Sequence, residues 1–340
     1  MGPRAIRVTS EDFLIPPEYR GYRLAERSAG QVGGVRLGLV ESGGRTVLGS
    51  CYQQVPLRVL PPFHFGDEPA ALLYLLNPTA GLMDGDGHLI EIEAKAGACA
   101  VVTGQSATRV HPAVSSFATQ QWRIRAAAGA RLVVLPGPNI PYKGCRFHQR
   151  VRIDLEGDAQ LIWADIWTPG RYERLGDLAE HYQFERIIQE LEVHHDGVLV
   201  YRDRFDWQGP WDRETAAWYV GGGPNAASAG LFVTSEVAQA GSRSEPGLGH
   251  ELASLRRAIL TLDAGKTLIR WCGPAPELIA AVVREALGLA AGWTAEASSR
   301  PWLIGGHHLN PSHWFSVPGE PAGGAARTSY RQEPSSAPGS

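Results

Sequence analysis

Three segments in the middle of the chain share one hydrophobic grammar: a strand alternating apolar with polar residues, a glycine turn, then an unbroken apolar strand. In the first, Ile90, Ile92 and Ala94 alternate with Glu91, Glu93 and Lys95, and Gly97 leads into Cys99-Ala100-Val101-Val102. In the second, Trp122 and Ile124 alternate with Arg123 and Arg125, and Gly129 leads into Leu132-Val133-Val134-Leu135. In the third, Val151, Ile153 and Leu155 alternate with Arg152 and Asp154, and Gly157 leads into Leu161-Ile162-Trp163. The turn glycines lie 32 and then 28 residues apart. A period of two buries one strand face and wets the other, whereas a continuous apolar strand requires cover on both faces. Such a repeat predicts stacked β-layers, ahead of a plain β-sandwich.

Beyond the repeat, Leu191–Val193 and Val198–Val200 flank Asp196-Gly197, a hairpin signal, and Ala258–Leu262 with Thr267–Trp271 form another across Asp263-Ala264-Gly265. Leu278, Ile279, Val282, Val283, Ala286 and Leu287 recur at helical spacing, with Pro276 in the first turn and Gly288 near the stop. A second, weaker helix is predicted over Leu175–Glu190. The fold class is therefore mainly β, a stacked β-layer or β-helix-like architecture with one or two α-helices. Residues 1–316 are expected to form one domain. Ala238–Gly249 reads as a loop, and the Pro-, Gly-, Ala- and Ser-rich residues 317–340 as a disordered tail.

Composition narrows the function classes. The chain of 340 residues is 44% hydrophobic and carries a net charge of −3, so it offers no basic field for nucleic acid. No run approaches the roughly 20 apolar residues of a membrane helix, and Met1–Phe13 lacks a secretory apolar stretch, so a cytoplasmic protein is expected. Cys51, Cys99, Cys145 and Cys272 form no CxxC pair, and buried free thiols are expected.

The motifs that tempt an enzyme reading fail on required residues. Ala264-Gly265-Lys266-Thr267 resembles the end of a phosphate-binding loop, but Leu260 stands where the first glycine is needed, so this is a hairpin turn. Gly104-Gln105-Ser106-Ala107-Thr108 lacks the second glycine of a nucleophile elbow. Gly221-Gly222-Gly223 reads as a loop. Neighbours in a strand point to opposite faces, so His194 and His195 do not readily chelate one ion, and His307-His308 is similarly weak. With no catalytic triad or metal cage, the chain reads as a binding or scaffolding protein rather than an enzyme.

The ordered series of short motifs resembles the UreD (UreH) family of urease accessory proteins over about residues 30–310. Tyr74–Gly87 (YLLNPTAGLMDGDG), with Asn77, Pro78 and Gly81, is similar to the family signature. Thr103, Ala107, Thr108 and Arg109 follow, then Gly129-Ala130-Arg131-Leu132 running into Leu135-Pro136. Tyr142–Arg146, Asp165, Gly170-Arg171, Leu191–Val193, Asp196-Gly197 and Arg202-Asp203-Arg204 keep the family order. The sequence departs where Gly137-Pro138 replaces the usual acid-bearing residues, leaving Asn139 as the next oxygen donor. Ala80-Gly81 and Asp84-Gly85 stand for the usual glycine pairs, and His111-Pro112 for Tyr-Arg, marking a divergent member.

The resemblance implies a β-helix-like fold with two helices, no catalytic activity, and no tightly bound cofactor. It also implies work with UreF-like and UreG-like partners on the urease apoprotein, with nickel in transit through an internal polar passage. By position, Asp86, Thr108, Asp165 and Asp177 are its candidate metal-path residues. Two rivals stand beside this reading. A glycan-acting enzyme needs facing carboxylates, for which Asp84, Asp86 and Asp165 are the candidates. A stand-alone nickel-binding module would use His194, His307 and His308.

Overall fold

The computed structural model describes residues 7–24, 31–64, 68–171, 180–221, 226–235, 255–262 and 265–291. Seventeen strands and two α-helices are defined among them. The strands are β1 (Val32–Ser42), β2 (Arg45–Gln54), β3 (Arg58–Val59), β4 (Ala71–Leu76), β5 (Gly87–Ala94), β6 (Cys99–Gly104), β7 (Thr108–Val110), β8 (Ala118–Ala126) and β9 (Arg131–Leu135). Then come β10 (Pro138–Pro141), β11 (Arg146–Leu155), β12 (Gln160–Trp167), β13 (Arg186–His195), β14 (Val198–Gln208), β15 (Ala226–Val233), β16 (Arg256–Leu262) and β17 (Lys266–Pro274). The helices are α1 (Arg213–Val220) and α2 (Ala275–Ala291).

The alternating strands of the repeat gather in one sheet, ordered β14-β13-β11-β8-β5-β1-β2. The continuous apolar strands gather in a second, along β16-β17-β15-β12-β9-β6-β4-β3. Each repeat unit thus contributes one strand to each layer across its glycine turn. Gly97, Gly129 and Gly157 all have positive φ (76°, 76° and 53°), the conformation that glycine adopts without penalty. Successive units pair in parallel, β5 with β8 and β8 with β11, and likewise β6 with β9 and β9 with β12. Parallel pairing separates stacked layers from an antiparallel sandwich, and the mixed sheets do not close into a barrel.

Between the sheets lies a core that includes Ile90, Ile92, Trp122, Ile124, Val151, Ile153, Val102, Val134 and Trp163. The second sheet is covered on its other face by α2. Leu278, Ile279, Val282, Val283 and Ala286 pack there with Val133, Ile162, Leu231 and Ile269. That cover explains why these strands are apolar throughout; each fully buried aliphatic side chain contributes about 1.5–3 kcal/mol. The first sheet keeps a charged outer face, where Arg36 and Arg123 bracket Glu91, and Arg150 joins Glu190 to Glu192. The N-terminal segment covers part of that face through Val8, Phe13, Tyr19 and Leu24.

Both predicted hairpins form, β13–β14 with Asp196 and Gly197 at positive φ, and β16–β17 with Gly265 at positive φ. The weaker helix does not. Arg186–Glu190 belongs to β13, paired in parallel with β11, and residues 172–179 lie outside the described part. Ile187, Ile188 and Leu191 mimic helical spacing, but β11 offers an open edge whose hydrogen bonds outweigh local propensity. The second helix is instead α1, capped by the Asp212 carboxylate on Thr215 N (2.7 Å) and closed at Gly221 (φ 68°). The four cysteines are free, yet Cys51 is exposed on the edge strand β2 and Cys272 half-buried, so burial holds only for Cys99 and Cys145. Among the described residues no helix is long and apolar enough to cross a membrane. Ala238–Gly249 and residues 317–340 also lie outside the described residues.

Candidate functional site: a polar layer and the cleft that opens onto it

On four neighbouring strands of the first sheet, β5, β8, β11 and β13, the inward-facing positions change character along a single row. On β13, Ile187 belongs to an aromatic-rich cluster at one end of the molecule and Leu191 to the inter-sheet core; Gln189 lies between them. On β11 the series is Phe147, Gln149, Val151, and on β8 it is Ala118, Gln120, Trp122. On β5, His88 precedes Ile90. Register places His88 beside Gln120, Gln120 beside Gln149, and Gln149 beside Gln189. The second sheet answers from β12, where Asp165 sits between Trp163 in the core and Trp167 in the aromatic cluster. A polar layer one residue deep thus crosses the interior, at the end away from the glycine turns.

Hydrogen bonds link most of this layer. Trp122 Nε1 donates to Gln120 Oε1 (3.0 Å), and Gln149 Nε2 approaches the same oxygen at 3.4 Å. Trp167 Nε1 donates to Gln189 Oε1 (3.1 Å), while Gln189 Nε2 donates to Asp165 Oδ2 (2.9 Å). Asp165 pairs across β15 with Gly230, which pairs with Arg270 on β17. A Cβ on Gly230 would lie 2.7 Å from Asp165 Oδ1 and 3.0 Å from Arg270 Nη1, so glycine leaves the space both groups occupy. Arg270 also forms an ion pair with Asp203 of β14, tying the two sheets together. Burial pushes the Asp165 carboxyl above its usual range, against the opposing pull of Arg270.

Four buried atoms of the inward-facing side chains lack a hydrogen-bond partner: His88 Nδ1 and Nε2, Gln149 Oε1 and Trp163 Nε1. Stranded polar atoms each cost about 1–3 kcal/mol unless water or an ion meets them. His88 is fully buried, and desolvation lowers its pKa to about 4, so its imidazole is neutral with a free lone pair at neutral pH.

One end of the layer opens into a cleft enclosing about 50 Å³, enough for a few water molecules. Its walls include His88, Gln120 and Trp122 inside and Asn77, Ser106 and Thr108 nearer the surface. Six sequence-predicted residues meet there: Asn77, Gly81, Ala107, Thr108, Arg109 and Pro136. Asn77 Oδ1 accepts from Thr79 N (3.2 Å) and the Thr79 hydroxyl (2.7 Å), closing the signature loop. Gly81 (φ 141°) lies so close to β7 that a Cβ would stand 2.3 Å from Arg109 O. A Cβ on Gly104 would meet Pro136 O at 2.3 Å, so this glycine lets Leu135-Pro136 cross the cleft wall.

Other predicted residues serve neighbouring parts of the frame. Thr103 faces the helix side and donates to Leu135 O (3.0 Å). Buried Asn139 pairs with Thr108 across β10–β7, and its Nδ2 approaches Ile166 O at 3.4 Å. Arg171 forms an ion pair with Glu180 and lies over the Tyr142 ring at 4.3 Å. Gly170 (φ 140°) fits where a Cβ would be 2.7 Å from Glu180 O. The buried Asp86 carboxylate accepts from Gln31 N and from Met83 N (2.7 Å), and burial raises its pKa against those bonds. Thr108 and Asp86 are therefore not presented to one space; Thr108 lines the cleft and Asp86 clasps the loop beside it. Asp177 lies outside the described residues.

The geometry weighs on both rivals. None of Asp84, Asp86 and Asp165 lines the cleft. Asp84 accepts from Val114 N, Ser115 N, the Ser115 hydroxyl and Ser116 N at 2.7–3.1 Å, and although burial opposes them these bonds hold its pKa low. It anchors a loop. His194 and His195 are half-buried on β13, and His195 contacts Gly157 O (2.6 Å) and Lys266 Nζ (3.0 Å). Among the described residues no three His, Cys, Asp or Glu side chains are grouped to hold a metal ion. His307 and His308 lie outside those residues.

His88, Gln120, Gln149 and Gln189 were not singled out from sequence. The signal was present: they stand two residues before Ile90, Trp122, Val151 and Leu191, so extending each alternation one step backwards places a polar side chain inside.

A family model described as UreD urease accessory protein matches residues 31–306. The urease accessory protein UreD 2 of Synechococcus sp. (strain JA-3-3Ab) is 40% identical over 142 residues, covering 42% of this chain and 49% of that protein. UreD of Opitutus terrae is 33% identical over 166 residues, 49% of this chain and 60% of that protein. UreD of Anaeromyxobacter sp. (strain Fw109-5) is 28% identical over 247 residues, 70% of this chain and 81% of that protein. The matched regions with the first two thus span about half to three-fifths of those relatives.

Proposed function

Because this chain belongs to the UreD family of urease accessory proteins, we propose that it conducts Ni²⁺ toward apo-urease. In this reading it is a scaffold rather than an enzyme, working with UreF-like and UreG-like partners in the cytoplasm, and the metal is cargo. The observation that carries it is the polar layer, entered through a cleft where the family-motif residues converge and lined by buried atoms without partners. A borderline divalent ion moves along such a path if amide, hydroxyl and imidazole donors replace its waters one at a time and no site holds it tightly.

The test is urease maturation in cells lacking this gene. Nickel content and urease activity should fall, return with the native chain, and stay low with Thr108→Trp, which fills the cleft mouth. Co-purification should recover UreF-like and UreG-like partners with both chains. Full nickel loading of urease without the gene would end the assignment. Normal loading with a folded Thr108→Trp chain would end the passage.

A further inference from the structure

The geometry points to the cleft as a binding site for a small planar oxyanion of the carboxylate type, with the Arg109 guanidinium as its charge partner and the His88 N–H as a donor at its inner end. This goes beyond the passage reading and does not rest on it. The wall is rich in hydrogen-bond donors: Arg109, Thr108, Ser106, Gln120 and His88 line the cleft, and no carboxylate does. Half-buried arginines elsewhere in the protein, Arg36, Arg123, Arg150 and Arg186 among them, each hold a carboxylate. Arg109 is half-buried too, yet among the described residues its guanidinium has no ion pair and no hydrogen bond. His88 is fully buried with no partner for either ring nitrogen, and its neutral imidazole always carries one N–H to donate. Gln120 Oε1 already accepts from Trp122 Nε1 and is approached by Gln149 Nε2, so its own Nε2 is the group with hydrogens left to give. The Ser106 hydroxyl reaches Ala107 O at 3.5 Å, the limit of a hydrogen bond.

Size and charge define the ligand class. A cleft of about 50 Å³ admits a group of a few heavy atoms, and one guanidinium answers one negative charge. A carboxylate matches the planar fork of Arg109 with two parallel hydrogen bonds, and the apolar faces of Ile90 and Trp122 thin the water around the pair and strengthen it. A dianion such as phosphate brings a second charge that no second cation of the wall meets. The same chemistry has two sources, a free anion such as formate or an acidic side chain of a partner protein. In either case the seated carboxylate supplies the anionic oxygen that the wall itself lacks.

The experiment is NMR of the full chain with isotope-labelled histidines, titrated with sodium formate at an ionic strength held constant with NaCl. The His88 resonance, one of 11, is identified by its disappearance in His88→Gln. The expected result is a saturable shift of that signal, with its midpoint raised about tenfold in Arg109→Gln and partly restored in Arg109→Lys. A His88 signal that formate leaves unmoved, or a shift that survives intact in Arg109→Gln, overturns the proposal and leaves water as the occupant. Co-purification from cells decides the source. Partner recovery that falls with Arg109→Gln and with added formate assigns the carboxylate to a partner's acidic side chain; unchanged recovery assigns it to a free anion. Urease loading is a separate readout: if formate binds the native chain and loading is normal with Thr108→Trp, the site stands and the passage reading falls.

Discussion

Acid should destabilise this fold through His88, by an amount that can be worked out. Desolvation holds the imidazole pKa at about 4, against about 6.5 in the unfolded chain. The folded state therefore binds fewer protons than the unfolded state between those values, and stability rises with pH there. The contribution is complete above about pH 6.5 and is lost progressively as pH falls toward about 4, with no further change from this group below. Between about pH 7.5 and about pH 5 the loss from His88 alone is roughly 2 kcal/mol. Buried His148, also shifted down, acts in the same direction, while Asp86 and Asp165, shifted up, act oppositely. Those terms cancel when the native chain is compared with His88→Gln, which keeps a polar side chain of similar reach but no proton to gain. Urea unfolding of both chains at the two pH values should show the variant losing roughly 2 kcal/mol less than the native chain. Equal losses would show that His88 is as solvated in the fold as in the unfolded chain, and the buried, partnerless environment deduced for it would be wrong.

Trp163 is fully buried between the sheets, edge-on to Trp122 at 5.3 Å, so Trp163→Ala should cost about 3–5 kcal/mol in chemical denaturation. Arg270→Met strands the buried Asp165 carboxylate and releases Asp203. Because the guanidinium is partly exposed, the expected loss is roughly 2–3 kcal/mol, most of it recovered in the double variant with Asp165→Asn. If the two single variants simply add, Arg270 and Asp165 do not interact. Asp86 clasps the loop beside the cleft, so Asp86→Asn, which keeps an acceptor for one backbone N–H, should leave the protein folded, partner-competent and able to support urease activation, whereas Asp177→Ala should lower activation. Loss of partner binding by Asp177→Ala in a pull-down would assign that acid to structure instead.

The repeat, the two hairpins and α2 were legible because each is written in a local period. Ile90–Ala94 alternates at two, Leu278–Leu287 recurs at helical spacing, and Asp196-Gly197 supplies the positive-φ turn. The convergence of Asn77, Thr108 and Pro136 was legible only as an ordered motif series; the cleft they share is made by strand register between segments up to about 60 residues apart in sequence. β13 was misread because Ile187, Ile188 and Leu191 satisfy a helical spacing as well as a strand, and only the open edge of β11 decides between them.

What the sequence determined by itself is the alternation that makes two layers and the ordered motifs that mark the family. What tertiary structure alone decided is which polar residues share one depth. His88, Gln120, Gln149 and Gln189 are about 30 to 40 residues apart in the chain, and each alone is an ordinary polar side chain at a strand's start. Parallel pairing sets the four side by side, one strand spacing apart, and the opposing sheet brings Asp165 to the same level. Burial then removes the water that would have satisfied them, and turns a row of unremarkable residues into a polar seam through an apolar core.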